Sequence, residues 1–389
     1  MNPWNDNKLG YYTVGDLTVR SKIDACVVAT KTNQWPQWHF NDQVWALQDW
    51  TQEPDIDLLA LYQHRAKQIR EQYDYVIINY SGGSDSQTIV EAFFNAGCHI
   101  DEIVTIWNPH IDNSPILDVR ATQPSNIEAE FYFNTRHKLD WIKQTSPKTK
   151  ITYVDISKSV LEEYTKNYDG AEWIKKTSEH LNPVWITRWD PTRNQSNLYT
   201  FDRGLKTALV SGIDKPRVCT KDGKFYAYFL DTLANNGRGN WGTTGHENYD
   251  HVLFYWSPDF PQLVVKQAHM VMKWFKANPA LGEILQWGTT PLGYVDKTRI
   301  YEVLIRSIVY PTWSINTFQC LKVTSPIYTE WDSWFWNKFK DQSVYESWQQ
   351  GVKYVENTVD KKFLNYDQNG RLNGFVGMIS SHFALEKTS

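Results

Sequence analysis

The sequence lacks several features that assign a protein to a familiar class. Its 389 residues include four cysteines that form no CxxC pair: Cys26, Cys98, Cys219 and Cys320. This spacing argues against a disulfide framework, a zinc ribbon or an iron–sulfur cluster, and it predicts reduced, mostly buried thiols. No apolar run approaches the roughly 20 residues of a membrane-spanning helix. We therefore expect no membrane partner.

An excess of charge of one sign is also lacking. The chain has 40 Lys and Arg against 44 Asp and Glu, a net charge of −4. Such a balance gives no global attraction to nucleic acid or anionic lipid, so any nucleic-acid contact would have to be a local patch. The first residues show no basic segment followed by an apolar run, and the expected compartment is the cytoplasm. Composition indicates a soluble globular protein of about two or three domains.

Aromatic residues, in contrast, are abundant. The chain contains 19 tryptophans, 22 tyrosines and 17 phenylalanines. Large rings suit thick cores, interfaces and base stacking alike, so the number alone decides nothing.

Apolar patterning predicts three regions. The pattern predicts an irregular N-terminal lobe over residues 1–56, where short apolar stretches mix with turn formers. It predicts a nucleotide-binding α/β domain over residues 57–235 and a helical lobe rich in tryptophan over residues 236–389.

Within the middle region, strands alternate with helices. The predicted strands are 73–80, 102–107, 150–155 and 207–212, the predicted helices are 57–73, 87–95, 127–144 and 160–164, and a hairpin is predicted at 217–230. This alternation is typical of a doubly wound, mainly parallel sheet. The C-terminal helices are predicted at 262–276, 297–307 and 330–336.

The most specific motif is the segment from Ser81 to Ser86, with the sequence SGGSDS. It follows a short β-branched strand and opens a helix, so its backbone N–H groups and the positive end of the helix dipole converge on one point, which is an anion site. The two glycines allow close backbone approach, and the serines add hydroxyl donors. Asp85 does not favour a bare phosphate and is better explained by Mg²⁺ or by a role in orienting the loop. Neither a Walker loop nor a GxGxxG fingerprint is present.

SGGSDS, lying between YDYVIINY and QTIVEAFF, resembles the SGGxDS signature of the PP-loop ATP pyrophosphatases. This superfamily includes the synthetase domain of asparagine synthetases, GMP and NAD synthetases, tRNA-modifying enzymes and relatives of phosphoadenylylsulfate reductase. The N-terminal WHFND segment and the helix before the loop are similar to PP-loop proteins of tailed bacteriophages, for which the host cytoplasm would be the compartment. The resemblance implies the adenine nucleotide alpha-hydrolase-like (HUP) fold.

It also implies a reaction in which ATP, with Mg²⁺, is attacked at its α phosphorus and releases pyrophosphate. The residues that would hold the pyrophosphate are Ser81, Gly82, Gly83, Ser84, Asp85 and Ser86, with Asp85 near Mg²⁺. The strand ends near Tyr80 and Trp107 would line the adenine pocket.

Lys215 and Arg217 are the next candidates, because they follow the predicted strand 207–212. Cations there could neutralise charge on the α phosphate and the leaving pyrophosphate. By position and chemistry, Lys215 resembles a lysine with that role in the asparagine synthetase branch. The alternative is a turn stopped by Pro216 with both cations in solvent.

Three further segments have both a functional and a structural interpretation. The glycine-rich stretch 237–247 could be a lid or a plain loop, and HExxxH from His246 to His251 does not have the spacing of a metalloprotease. Residues 136–138 could touch a phosphate or simply be a solvated face. The rings and polar tips at 35–42 could stack a base, although packing is favoured.

The function expected is an ATP-dependent adenylating enzyme that makes AMP and pyrophosphate. It would activate a carboxylate, amide or nucleobase carbonyl for amination, amidation or thiolation, and a separate protein could donate the nitrogen or sulfur. One alternative is an ATP-binding module with vestigial catalysis whose aromatic lobe engages a partner. Another is a tRNA- or DNA-modifying enzyme, for which the lysines at 143–150 or 166–176 could form a local patch.

Overall fold

A computed structural model describes most of the chain. The described residues are 10–19, 21–107, 131–154, 204–212, 214–231, 248–285, 294–314, 339–366, 370 and 372–387. The predicted helices at 160–164 and 330–336, the glycine-rich stretch 237–247, the lysines at 166–176 and Cys320 lie outside them.

A five-stranded parallel sheet forms the centre of the fold. Its strands are β4 (Tyr75–Asn79), β5 (Glu102–Ile106), β6 (Lys150–Val154), β7 (Thr207–Ser211) and β10 (Tyr249–Leu253), in the order β10-β7-β4-β5-β6. The register pairs Ile77 with Glu102 on one side of β4 and with Leu209 on the other. The prediction of an α/β fold with a parallel sheet is confirmed, and its assignment to the HUP class stays a prediction.

Helices α3 and α4 flank β4 in the chain. Helix α3 (Leu58–Gln72) is capped by Asp57, whose side chain accepts a hydrogen bond from Leu59 N–H at 2.8 Å. The helix matches the predicted helix 57–73. Helix α4 (Ser84–Asn95) begins three residues earlier than predicted, immediately after Gly83. The loop is therefore shorter than the sequence suggested, and half of its motif belongs to the first turn of α4.

Helix α5 (Arg136–Thr145) lies between β5 and β6 in the chain. A π-turn, Phe131–Thr135, leads directly into it. The prediction of a helix here is confirmed for the described part of the range 127–144.

The N-terminal region is more regular than predicted. Strands β1 (Tyr11–Val14), β2 (Leu17–Val19) and β3 (Gln37–His39) form an antiparallel sheet, and α1 (Lys22–Thr32) connects the last two. A short helix, α2 (Asp42–Ala46), follows. Valines and threonines in α1 weaken its helical signal, and tertiary packing overrides that weak propensity.

A hairpin follows the parallel strand β7. Strands β8 (Arg217–Lys221) and β9 (Lys224–Tyr228) pair as predicted, joined by Asp222 at φ +50° and Gly223 at φ +75°. Two left-handed residues are what a type I′ turn requires. A short strand, β13 (Phe383–Ala384), adds to β9 from the far end of the chain.

The C-terminal region is a mixture of helices and short strands. The helices are α6 (Gln262–Ala277), α7 (Tyr294–Val309) and α8 (Ser343–Thr358), with 3₁₀ turns at Pro279–Leu285 and Lys361–Phe363. Strands β11 (Leu364–Tyr366) and β12 (Leu372–Phe375) pair with each other. The predicted helices at 262–276 and 297–307 are confirmed. Strand β10, which has no counterpart in the sequence prediction, comes from residues after 235 and completes the central sheet.

Much of the aromatic content is core. The Phe229 ring lies 4.7 Å from Trp45 and 5.0 Å from Trp256, measured between ring centroids, and all three side chains are buried. Trp38 and Phe40 of the WHFND segment are also fully buried. For these rings the packing interpretation is the correct one. Trp35 is different, because 59% of it is exposed.

The described thiols Cys26, Cys98 and Cys219 are free, and Cys26 and Cys219 are buried. Burial raises the pKa of both to about 12, although nearby lysines oppose the change. No helix in the described ranges is long and apolar enough to cross a bilayer.

Candidate functional site

The candidate site lies at the carboxyl ends of β4 and β7. From β4 the chain proceeds to β5 and β6 on one side of the sheet, whereas β7 and β10 lie on the other. Strand order therefore reverses between β4 and β7, and ligands of open α/β sheets bind in the crevice at such a switch point. The motif Ser81–Ser86 follows β4, and the segment with Lys215 follows β7.

Serine hydroxyls hold the loop in shape. Ser81 N–H donates to Ser86 Oγ at 3.3 Å, and Gly83 N–H donates to Ser81 Oγ at the same distance. Ser86 Oγ in turn donates to the Gly83 carbonyl, also at 3.3 Å. Gly83 is the N-cap of α4 and has no side chain with which to cap it. The first N–H groups of α4 therefore receive no side-chain cap from the residue before the helix, as expected of an anion site.

Two glycines allow close approaches around the loop. Gly82 has φ +74°, and a Cβ there would lie 2.5 Å from Thr135 Oγ1 and 2.8 Å from Thr135 Cα. A Cβ on Gly212 would lie 3.1 Å from the Asp85 carbonyl carbon. A methyl group on Gly82 would collide with Thr135, and one on Gly212 would require the Asp85 backbone to shift by a few tenths of an ångström.

Lys215 lies in the middle of three carboxylates. Its Nζ is 3.2 Å from Asp85 Oδ1, 3.3 Å from Glu302 Oε2 and 3.5 Å from Asp214 Oδ1. Only 5% of Lys215 is exposed. The solvated-turn interpretation of this segment is therefore wrong.

Arg217 joins the same network from the first residue of β8. Its Nη2 lies 3.0 Å from Asp214 Oδ2, and its Nη1 lies 2.9 Å from Glu302 Oε1. Arg306 Nη2 contacts Glu302 Oε2 at 3.7 Å. Arg217 thus engages two carboxylates directly, and 11% of its side chain is exposed.

The network keeps its groups charged. Burial alone would raise the pKa of Asp214, but Arg217 and Lys215 outweigh it and hold that pKa below its ordinary value. Burial likewise opposes the charge on Lys215, whose pKa is nevertheless raised by Asp85, Glu302 and Asp214. The pKa of Glu302 is lowered, because Lys215 and Arg217 overcome the effect of burial.

Helix α7 and the residue after it form the second wall of the site. Tyr310 OH donates to Asp85 Oδ1, and Glu302 contacts Lys215 and Arg217 as described above. Tyr301 OH donates to the Pro216 carbonyl at 2.7 Å and accepts from Val218 N–H at 2.8 Å. The C-terminal region therefore fixes both the acid of the loop and the segment that carries the lysine.

A further tyrosine holds the backbone of the motif. Tyr255, just after β10, donates from its OH to the Asp85 carbonyl oxygen at 2.8 Å. Burial raises the pKa of Tyr255 and of Tyr310 well above the ordinary value, with Asp85 adding to the effect. Both hydroxyls consequently stay protonated donors.

Tyr80 and Trp107 occupy different environments. Tyr80 is 1% exposed, and its OH donates to Gln87 Oε1 at 2.6 Å, so its side chain belongs to the core beneath the loop. Trp107 is half-buried at the end of β5 and stacks on Phe131, with ring centroids 5.4 Å apart. Among the described residues its buried indole Nε1 has no hydrogen-bond acceptor.

Residues 136–138 do reach the loop, through their last member. Lys138 Nζ donates to the Gly82 carbonyl at 2.7 Å, and Thr135 Oγ1 donates to the Ser81 carbonyl at the same distance. Arg136 and His137 are exposed. The sequence had left this segment open between a phosphate contact and a solvated face.

His251 lies in the middle of β10. Its Nε2 is 2.7 Å from Ser211 Oγ, and both residues are buried. Burial lowers the pKa of His251 to about 4.

Sequence patterns missed the residues that complete the network. Glu302 and Tyr301 lie in a helix that was predicted without any function, and Tyr310 follows it. Asp214 directly precedes Lys215, but no role was predicted for it. No local signal distinguishes Glu302 from the other acids on helices, because its role depends on a partner 85 or more positions away.

Comparison with known proteins adds no relative. No protein-family model matches the chain. No curated protein is significantly similar to it.

Chemically, the site combines a glycine- and serine-rich loop at a helix N-terminus with a partly exposed carboxylate, that of Asp85. The Asp85 side chain is 30% exposed, and its oxygens contact Lys215 and Tyr310. In the described ranges no group of three or more His, Cys, Asp or Glu side chains could hold a metal ion. The Asp85 carboxylate is an oxygen ligand of the kind that Mg²⁺ takes beside phosphate oxygens.

Proposed function

We propose that the chain is an ATP-dependent adenylating enzyme that converts ATP to AMP and pyrophosphate. The observation that carries the proposal is the Ser81–Ser86 loop, which joins the carboxyl end of β4 to an uncapped α4 at the switch point of a parallel sheet. The acceptor would be a carboxylate, an amide or a nucleobase carbonyl, whose oxygen attacks the α phosphorus as pyrophosphate leaves.

The surrounding residues support a mechanism in which the protein binds and positions the reacting groups and contributes little acid–base catalysis. Asp85 is oriented by Tyr310 and Lys215, and its own backbone is fixed by Tyr255. A site whose groups are held before the substrate arrives lowers the barrier through orientation and electrostatic stabilisation. Mg²⁺ bound to the phosphates would shield their charge, and Asp85 is the carboxylate available to it.

One residue bears on the adenine half of ATP. Trp107 lies at the end of β5, next to the strand that leads into the loop, where its ring stacks on Phe131 and its buried Nε1–H has no acceptor in the described part of the chain. A purine offers both a stacking face and ring nitrogens that accept hydrogen bonds.

The test is turnover of ATP labelled at the α phosphate, with Mg²⁺ and with pools of small molecules, tRNA and DNA added separately. We expect labelled AMP with one pool. Asp85→Asn should abolish that product, and Asp140→Asn, an exposed acid on α5, is the matched control and should leave it unchanged. Circular dichroism of both variants checks that the fold is retained. Labelled ADP in place of AMP would overturn the proposal.

One observation favours a second candidate function, an ATP-binding module without turnover. The Asp85 carboxylate is already engaged by a lysine and a tyrosine. If that arrangement persists when nucleotide binds, no carboxylate is available for Mg²⁺. In that case, ATP would bind in a calorimeter and no pool would yield AMP.

A further inference from the structure

A hydrogen-bonded series of three side chains lies on the N-terminal sheet, in a part of the chain that the proposed function does not use. Thr13 Oγ1 of β1 lies 2.9 Å from His39 Nε2 at the end of β3. His39 Nδ1 lies 2.7 Å from Asp42 Oδ2, on the first residue of α2. A hydroxyl, an imidazole and a carboxylate joined in this order are the arrangement that activates a nucleophile in acyl-transfer enzymes.

The Asp42 carboxylate determines which nitrogen of the imidazole carries the proton. Asp42 Oδ1 accepts from Phe40 N–H at 3.0 Å, which fixes the carboxylate. Burial would raise the pKa of Asp42, but the hydrogen bonds from His39 and Phe40 outweigh it and hold that pKa below its ordinary value. Because an ionised carboxylate only accepts hydrogen bonds, Nδ1 of the neutral imidazole is the donor, and Nε2 accepts from the Thr13 hydroxyl.

A tyrosine orients the imidazole ring through its face. Tyr11 lies directly opposite His39 on the neighbouring strand, and the two rings stack with centroids 4.9 Å apart and planes inclined by 16°. The ring of the base is therefore held by the carboxylate at its edge and by the tyrosine on its face.

Burial does not require this arrangement. Thr13 is half-buried, and 17% of the His39 side chain and 39% of the Asp42 side chain are exposed. Water can satisfy polar groups with that much exposure, so the three side chains are not forced to pair with one another. The same exposure leaves the hydroxyl within reach of a small substrate.

The surroundings of Thr13 suit an uncharged acyl group. Gln37 lies directly opposite Thr13 on β3, so their side chains share one face of the sheet. Its exposed side-chain amide is a donor of the kind that stabilises an oxyanion. Gln37 and Tyr11 carry no charge at neutral pH, and the charge of Asp42 disfavours an anionic substrate.

We propose that Thr13, His39 and Asp42 form a second catalytic site, which cleaves uncharged carboxylic esters through an acyl-threonine. Thr13 Oγ1 bonds to the ester carbonyl carbon as its proton passes to His39 Nε2. The imidazolium protonates the departing alcohol as the ester C–O bond breaks. Water then attacks the acyl-threonine and gives a proton to His39, and the carboxylic acid leaves as the Thr13 hydroxyl regains its proton. This activity is independent of the proposed function.

The experiment is reaction of the full chain with p-nitrophenyl acetate at neutral pH, without nucleotide, followed by mass spectrometry of the digested protein. We expect an acetyl group on Thr13, and none in Thr13→Val. His39→Gln should lower the rate of Thr13 acetylation by at least about 100-fold, the usual contribution of a general base. Thr18→Val alters a threonine opposite Thr13 on β2, and as the matched control it should leave the rate unchanged.

The position of the acetyl group on the unaltered chain keeps the test decisive even if a variant fails to fold. Acetylation of lysines, or of Thr51, whose hydroxyl donates directly to the Asp49 carboxylate, with none on Thr13 would overturn the proposal. Equal rates of Thr13 acetylation in the unaltered chain and in folded His39→Gln would also overturn it, because the imidazole would then not be the base. Since the reaction contains no nucleotide, either failure leaves the proposed adenylating function standing.

Discussion

Lys215 Nζ lies 3.2 Å from Asp85 Oδ1, although the two residues are 130 positions apart. The contact joins the loop after β4 to the segment after β7, across the switch point of the sheet. Glu302 and Tyr310, from a third part of the chain, reach the same pair. Three distant segments are thus tied together at one carboxylate and one ammonium group.

Removal of the Lys215 ammonium group should destabilise the fold. We expect Lys215→Met to lower the free energy of unfolding by about 3–5 kcal/mol, because Asp85, Asp214 and Glu302 would then face only Arg217 and Arg306, which leaves one negative charge of a largely buried network uncompensated. Lys362→Met removes a surface lysine that pairs with Asp360, and it should cost less than about 1 kcal/mol. Urea unfolding measures both.

A double-mutant cycle tests whether the ion pair of Lys215 and Glu302 accounts for this loss of stability. Glu302→Gln in the Lys215→Met background should recover part of the loss, with a coupling of about 0.5–3 kcal/mol. Strict additivity of the two changes would show that the ion pair does not stabilise the fold.

The two glycines Gly82 and Gly97 provide a matched comparison of strain and contact. Both have positive φ, +74° and +68°, but a Cβ on Gly97 would meet nothing within 4 Å. Gly97→Ala should therefore cost about 1–2 kcal/mol from backbone strain. Gly82→Ala should cost at least about 2 kcal/mol more, because its methyl group would collide with Thr135. Thermal unfolding of the two variants measures both losses of stability. Equal losses would contradict the close contact between Gly82 and Thr135.

The hydroxyl of Tyr310 is expected to compete with metal for Asp85. Tyr310→Phe should destabilise the fold by about 1.5–3 kcal/mol, the usual loss for a hydrogen bond to a charged group. It should also lower the Mg²⁺ concentration that half-saturates nucleotide binding, by about fivefold, if roughly 1 kcal/mol of competition is removed.

Tyr73→Phe is the control for this prediction. Tyr73 OH also donates to a carboxylate, that of Asp250, at 3.0 Å. Loss of the Tyr73 hydroxyl should leave the Mg²⁺ dependence of nucleotide binding unchanged. An identical shift in both variants would mean that general destabilisation, and not the contact with Asp85, caused it.

His251 should make the fold sensitive to acid. Burial lowers its pKa from 6.5 to about 4, so between these pH values the unfolded chain binds the proton and the folded chain does not. Stability from this group is complete above about pH 6.5 and is lost as the pH falls toward 4, a change of roughly 3 kcal/mol. Urea unfolding at pH 7 and pH 4 should show that His251→Asn has a smaller loss than the unaltered chain. The same loss in both would assign the acid sensitivity to other groups.

Local sequence patterns were enough to predict the α/β class, the succession of the middle strands along the chain, and the strand–loop–helix around Ser81–Ser86. These features depend on local signals: β-branched runs, glycine turns and apolar periodicity each act within a few residues. The sequence also directed attention to Lys215 and Arg217, although only as cations after a strand. Helix α1 and strand β10 were not predicted, because their propensities are weak and neighbouring elements stabilise them.

Which side chains contact the loop depends on the packing of segments that are distant in the chain. Glu302 and Tyr310 have no local mark that separates them from other residues of the C-terminal region, and for Lys138 the sequence left a phosphate contact and a solvated face open. Their roles arise where α7 and α5 pack against the carboxyl edge of the sheet, because burial there requires every charge to meet a partner. That pairing is set by the crossing of distant segments, and a local pattern in the chain does not encode it.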